Sequence, residues 1–154
     1  MAHEIERKFL VNNLPSELDR YPHSEIIQGY LMITDNDVEI RVRKKGGRYY
    51  HTVKSGTGLV RKEVEKEITE AEFLEHWPET QGKRVLKVRY DIDYEEFLIE
   101  LDIYSGDLAG LVVAEVEFDS KEQSSHFEPP EWFGEEVTLD ERYKNKNLAL
   151  NGKP

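Results

Sequence analysis

Hydrophobic and polar residues alternate along most of the chain, the period of a half-buried β-strand. Eight such stretches lie near residues 3–11, 26–34, 37–45, 48–55, 60–68, 84–92, 97–104 and 111–119, each bounded by turn-forming residues. Asp35-Asn36, Gly46-Gly47 and the acidic turn at Tyr94 to Glu96 are too short to hold a crossover, so the strands they join are predicted to be antiparallel neighbours. Thr69 with Glu72 forms a capping-box signature for a short helix over Glu70 to Trp77, closed by Pro78. Ser120 can cap another near Lys121 to His126, and Thr138 with Glu141 predicts a final helix running to about Leu150, with Asn151 and Gly152 as its stop. Residues 15–22 and 128–136 read as irregular connections, and no internal repeat interrupts the pattern. The prediction is one domain over residues 1–154, mainly β within the α+β class, with a few short helices.

Residues two apart in a strand share a face, so each stretch can be sorted into two sides. Strand one sets Glu4, Glu6 and Lys8 against Ile5, Phe9 and Val11; strand three sets Glu39, Arg41 and Arg43 against Val38, Ile40 and Val42. Strand four places Lys54, strand five Glu63 and Glu65, strand six Lys87 and Arg89, strand seven Glu100 and Asp102, and strand eight Glu115 and Glu117 on the charged side. For any one strand a solvated face is the simplest explanation. A solubilising face intersperses the two signs, however, whereas here carboxylates pair on four strands and bases on two others. Eight antiparallel strands can close into a barrel whose interior is wide enough to be filled by side chains or to hold one small ligand. If the charged faces point inward, the lumen must be wet, because unpaired ions in a dry interior cost several kcal/mol each.

Composition sharpens this picture. The hydrophobic fraction is 38% and the charged fraction 34%, against norms of about 45–50% and about 25%, so charge occupies positions that usually carry apolar side chains. A net charge of -11 argues against nonspecific binding to nucleic acid or to an anionic membrane. The absence of cysteine fits a reducing compartment, and the N-terminal stretch has no apolar run of signal or membrane-span length, so a soluble, cytoplasmic protein is expected. Paired carboxylates in a wet cavity suit hard divalent cations such as Mg²⁺ or Mn²⁺. Lys8, Arg41, Arg43, Lys54, Lys87 and Arg89 suit phosphate oxygens, and a polyphosphate would bridge both sets. His3, His23, His51, His76 and His126 have no metal-ligand spacing, Trp77 and Trp132 read as structural, and no Walker loop or nucleophile elbow is present.

Glu4-Ile5-Glu6-Arg7-Lys8 resembles the ExExK signature of CYTH domains, also called triphosphate tunnel metalloenzymes. It is followed in order by Gln28-Gly29-Tyr30-Leu31, Glu39-Ile40-Arg41-Val42-Arg43, Thr52-Val53-Lys54, Glu63-Val64-Glu65, Lys87-Val88-Arg89, Glu100-Leu101-Asp102 and Glu115-Val116-Glu117. The segment from Asp140 to Leu150, with Tyr143 and Asn147, is similar to the family's C-terminal helix. The resemblance covers essentially the whole chain. It implies a closed eight-stranded antiparallel barrel, a tunnel that binds a triphosphate between bases and divalent metal. It further implies Glu4, Glu6, Glu115 and Glu117 as principal metal ligands, with Glu63, Glu65, Glu100 and Asp102 as outer-shell or second-metal candidates. The phosphate-binding set would be Lys8, Arg41, Arg43, Lys54, Lys87 and Arg89, and Tyr30 with Lys54 match a proposed catalytic dyad of some members; a wall-packing role is the alternative for Tyr30. The expected activity is metal-dependent hydrolysis of a triphosphate, inorganic triphosphate foremost. Thiamine or nucleoside triphosphate hydrolysis, class IV-type adenylate cyclisation and a non-catalytic polyphosphate-binding module are the alternatives. The histidine-phenylalanine signature associated with those cyclases is absent, since His3 is followed by Glu4. An apolar outer wall also makes a homodimer an expectation.

Overall fold

Each alternating stretch folds as a strand in the computed structural model, which describes residues 5–36, 38–56 and 62–154. The strands are β1 (Ile5–Val11), β2 (His23–Ile33), β3 (Glu39–Lys45), β4 (Arg48–Ser55), β5 (Lys62–Ile68), β6 (Arg84–Tyr94), β7 (Phe97–Ser105) and β8 (Val112–Phe118). A further short strand, β9 (Phe133–Glu136), pairs with the free side of β1. It falls in a segment expected to be irregular: Pro129 and Pro130 hide the strand signal, and the pairing includes a register shift between Phe9 and Val11. All pairings described are antiparallel, in the order β5-β4-β3-β2-β6-β7-β8-β1-β9. The sheet curls into the expected tunnel, but the order ends at β5 and β9 without returning on itself, so among the described residues hydrogen bonds do not close the ring.

Two helices clad the outside. Helix α1 (Glu70–His76) carries the expected capping box, with Thr69 Oγ1 accepting from Glu72 N at 3.1 Å and Thr69 N donating to Glu72 Oε1 at 3.2 Å. It covers the outer faces of β3 to β5 with Phe73 against Val42 and Ile68. Helix α2 (Lys121–His126), capped by Ser120, lies beside β1 and β8, where the aromatic segment Phe127 to Phe133 seals Phe9, Ile99, Leu101 and Val116. Burying aliphatic and aromatic side chains of this kind contributes roughly 1.5–3 kcal/mol each, so the apolar halves of the strands hold the wall together from outside. The turn Trp77–Thr80 after α1 then presses onto β2 at Gly29, where a Cβ would sit 2.4 Å from Thr80 Cβ.

The C-terminal helix is shorter than expected. Thr138 does not cap it, because its hydroxyl accepts from Lys8 N at 3.0 Å and donates to Glu136 at 2.6 Å. Asp140 instead caps a single 3-10 turn over Glu141–Tyr143, and α3 (Asn145–Asn151) follows. Leu148 of α3 packs with Val85, Tyr104, Leu111 and Val113, an apolar layer that fills one end of the barrel. Among the described residues no helix is long and apolar enough to cross a membrane.

Candidate active site

Strand alternation sends the charged faces inward, where they line a cavity of about 460 Å³. One wall is basic. Arg41 and Arg43 stand on β3 and Lys54 on β4, with Tyr30 of β2 opposite Arg41 and with Glu39 and Glu63 flanking Lys54 in register. The facing wall is acidic: Glu6 pairs in register with Glu117, Lys8 with Glu115, and Glu100 with Glu115 across β1, β8 and β7. Between the walls, β6 contributes Lys87 and Arg89.

These bases are anchored unequally. Lys87 Nζ donates to Asp102 Oδ2 at 2.8 Å, and Arg89 donates through Nε to Asp102 Oδ1 at 2.8 Å, through Nη2 to Asp102 Oδ2 at 2.9 Å and through Nη1 to Glu100 at 3.0 Å. Burial pushes the Asp102 carboxyl up, but Lys87 and Arg89 overcome it and hold the group at about 2. Burial lowers the Lys87 ammonium to about 8, even with Asp102 beside it. Arg43, half-buried and next to Arg41, is held below the ordinary arginine value by desolvation and by that neighbouring charge, yet a guanidinium stays charged in proteins. The Nε groups of Arg41 and Arg43 are buried and have no hydrogen-bond partner among the described residues. A buried donor left unmade costs about 1–3 kcal/mol, so this wall is built to receive an acceptor.

On the acidic side, burial pushes Glu115 up, but its contact with the Glu6 carboxyl and the charge of Lys8 outweigh that and hold it below the ordinary glutamate value. Two carboxyls in contact require a shared proton or a cation between them. No three histidine or carboxylate groups converge on a point among the described residues. This donor set fits a hard cation of the Mg²⁺ type, which takes one or two carboxylates and completes its shell with water and phosphate oxygens.

Of the residues expected from the sequence, Glu6, Lys8, Tyr30, Arg41, Arg43, Lys54, Glu63, Lys87, Arg89, Glu100, Glu115 and Glu117 line the cavity. Glu4 lies outside the described residues. Glu65 sits at the side of the site, accepting from Thr52 Oγ1 at 3.0 Å, while Asp102 lies beneath the bases that cover it. Tyr30 and Lys54 are separated by β3, and Tyr30 is buried with its phenol pushed up to about 12, chiefly by that burial. Glu39, sorted with the two arginines from the sequence, also lines the cavity; Gln28 and Lys45 line it too and share strand parity with Tyr30 and the arginines, so parity carried along the whole of each strand would have found them. Lys144 and Asn145 line it from the C-terminal segment, where Asn145 Oδ1 accepts from Tyr104 at 2.7 Å. No strand pattern points to these two.

A curled antiparallel sheet with opposed acidic and basic inner walls defines a polyanion-binding β-tunnel. The CYTH domain model matches residues 2–149, and the chain belongs to that family. A relative from Nitrosomonas europaea, named inorganic triphosphatase, is 47% identical over 150 residues, covering 96% of this chain and 97% of its own. One from Acetivibrio thermocellus with the same name is 38% identical over 157 residues, covering 98% and 96%. A crystal structure described as an inorganic triphosphatase superposes with a TM-score of 0.79 at 42% identity, covering 100% of this chain and 99% of that one.

Proposed function

We propose that this protein hydrolyses triphosphates in the presence of a divalent cation, with inorganic triphosphate as its principal substrate and pyrophosphate and phosphate as products. The reading rests on Arg41 and Arg43, whose buried Nε groups have no partner among the described residues and which line one cavity with the acidic wall, an arrangement that suits phosphate oxygens bridged by a cation. The name carried by both relatives, inorganic triphosphatase, supports the same substrate.

Arg41 and Arg43 would take non-bridging oxygens of one end of the chain, while Lys8, Lys87 and Arg89 hold the other along the acidic wall. Glu6 and Glu115, whose carboxyls are in contact, would hold Mg²⁺ or Mn²⁺, with Glu117, Glu100 and Glu63 as outer partners and Glu4 as the further ligand that the family resemblance implies. When bound there, the cation supplies charge neutralisation at oxygens where negative charge builds during phosphoryl transfer. Lys54, flanked in register by Glu39 and Glu63, would align the attacking water with the terminal phosphorus. Water adds to that phosphorus as the bridging bond to pyrophosphate breaks, and its proton leaves to a phosphate oxygen or to solvent. Tyr30, with its phenol at about 12, would act as a hydrogen-bonding wall residue near Arg41 and not as the base.

The test is phosphate release from inorganic triphosphate, ATP and thiamine triphosphate, each with Mg²⁺, with Mn²⁺ and with chelator. Fast, cation-dependent release from inorganic triphosphate is expected. Preference for ATP or the thiamine ester would move the substrate, cyclic AMP as the main product from ATP would replace hydrolysis with cyclisation, and tight binding without turnover would make the tunnel a binding module.

A further inference from the structure

Asp102 has the strand parity of a lumen ligand, two residues from Glu100 on β7, but its surroundings are those of a different kind of group. Its side chain is almost wholly enclosed, at 3% exposure. Oδ1 accepts from Arg89 Nε at 2.8 Å, and Oδ2 accepts from both Arg89 Nη2 at 2.9 Å and Lys87 Nζ at 2.8 Å. A carboxylate offers about four lone-pair directions; these contacts take three, and the enclosure of the side chain leaves no open approach to the fourth, so a cation could reach Asp102 only by displacing a base.

We propose that Asp102 is a positioning residue, a template that fixes Lys87 and Arg89 in the directions from which they meet the bound phosphate chain, and not a metal ligand. The proposal rests on the triphosphatase reading above. Lysine and arginine are long, mobile side chains, and a site holds an anion well only where such groups are locked by partners of their own. Asp102 supplies that lock. It grips the Nε and Nη2 edge of Arg89 in a two-pronged contact, which sets the plane of the guanidinium and leaves its remaining donors turned elsewhere. On Lys87 it takes one of three ammonium donors, while the Tyr104 ring lies 5.4 Å from the Nζ and limits where the others can swing.

Removing the carboxylate does not simply leave a more positive site. Lys87 is buried and already lowered to about 8 with Asp102 present. Without its counter-charge the ammonium is disfavoured further by burial, and the donor directions that Asp102 fixes on Lys87 and Arg89 are lost. Lengthening the side chain by one carbon, as in Asp102→Glu, keeps the charge and pushes the carboxylate about 1.5 Å further into the bases, which changes their aim.

The experiment measures triphosphate binding calorimetrically in chelator, where only the bases contribute, for the wild type, Asp102→Asn and Asp102→Glu. The Mn²⁺ concentration that half-activates hydrolysis is measured alongside, and circular dichroism establishes that each variant is folded. The expected result is a loss of metal-free triphosphate affinity of about 10- to 100-fold in Asp102→Asn, the range for removing a partner that orients a ligand group, with the Mn²⁺ requirement unchanged. Asp102→Glu is expected to weaken binding as well, and it carries the test alone if the asparagine variant does not fold. In a Lys87→Ala background the Asp102→Asn change is expected to weaken binding by a smaller factor than in the wild type. A folded variant that binds metal-free triphosphate as tightly as the wild type would overturn the proposal. So would a raised Mn²⁺ requirement with unchanged anion affinity. If the wild type binds triphosphate without cleaving it, the triphosphatase reading fails while the binding measurements still decide the role of Asp102.

Discussion

Gly29→Ala tests whether the tunnel wall is shaped from outside. The added Cβ would lie 2.4 Å from Thr80 Cβ, 2.6 Å from Oγ1 and 2.7 Å from Cγ2, all shorter than ordinary van der Waals contact allows. Thr80 cannot step aside cheaply: its hydroxyl donates to Trp77 O at 2.6 Å and accepts from Arg84 Nε at 2.9 Å, and the Arg84 guanidinium lies 4.2 Å from the centre of the Trp77 ring. Overpacking of this kind costs about 1–3 kcal/mol. For a chain of this size each kcal/mol lowers the melting temperature by roughly 2–4 °C, so a drop of about 2–12 °C is expected. The next residue is Tyr30, whose amide donates to Lys83 O at 2.9 Å and whose side chain lines the cavity, so a shift of β2 should also raise KM for triphosphate. Differential scanning calorimetry reads the first effect and steady-state phosphate release the second. Thr80→Gly removes the opposing Cβ, so the double variant should be less destabilised than the two single losses combined, by about 1 kcal/mol or more. A Gly29→Ala protein melting within about 1 °C of the wild type would refute the close approach of the Trp77–Thr80 turn.

Glu115→Gln should lower cation-dependent hydrolysis by more than about a hundredfold, beyond the effect of losing an outer-shell partner, while the melting temperature stays near that of the wild type; unfolding would contradict its place on the lumen wall. The stability that Asp102 contributes is present above its ordinary value of 3.8 and is lost as pH falls toward about 2, a difference of about 2 kcal/mol. Urea titrations between pH 5 and pH 2 should therefore show a shallower acid decline in Asp102→Asn. Tyr30→Phe should leave the shape of the rate profile unchanged up to pH 10, because a phenol at about 12 keeps its proton there; a lost alkaline limb would restore Tyr30 as the base.

Most of the tunnel was legible because strand alternation is a geometric rule, and a charged residue at every second position has one face to occupy. Glu6, Arg41, Lys87 and Glu115 reach the cavity for that reason alone. Alternation does not report depth, and so Glu100 and Asp102 look equivalent in the sequence although the first lines the cavity and the second lies under two bases. It is also silent about contributions from outside the strands. Lys144 and Asn145 arrive through the docking of α3, which depends on Leu148 meeting Val85, Tyr104 and Val113 across long stretches of chain. Thr138 carries a helix-cap signature that tertiary structure overrides, because the Lys8 amide on β1 takes its hydroxyl first.

The enclosure of the bases has a kinetic consequence. The protein carries a net charge of -11, and its densest positive charge is folded inward, so a free polyanion diffusing toward the surface meets repulsion until it reaches the mouth. At 0.1 M ionic strength that outer field dies away within about 10 Å, whereas the attraction inside the wall is screened much less. Encounter should therefore speed up with added salt while dwell time shortens, and a cation-complexed triphosphate, carrying fewer charges, should arrive faster than the bare anion. The tunnel would behave as a selective trap behind a repulsive threshold, the reverse of the electrostatic funnel by which surface-exposed bases gather their ligands.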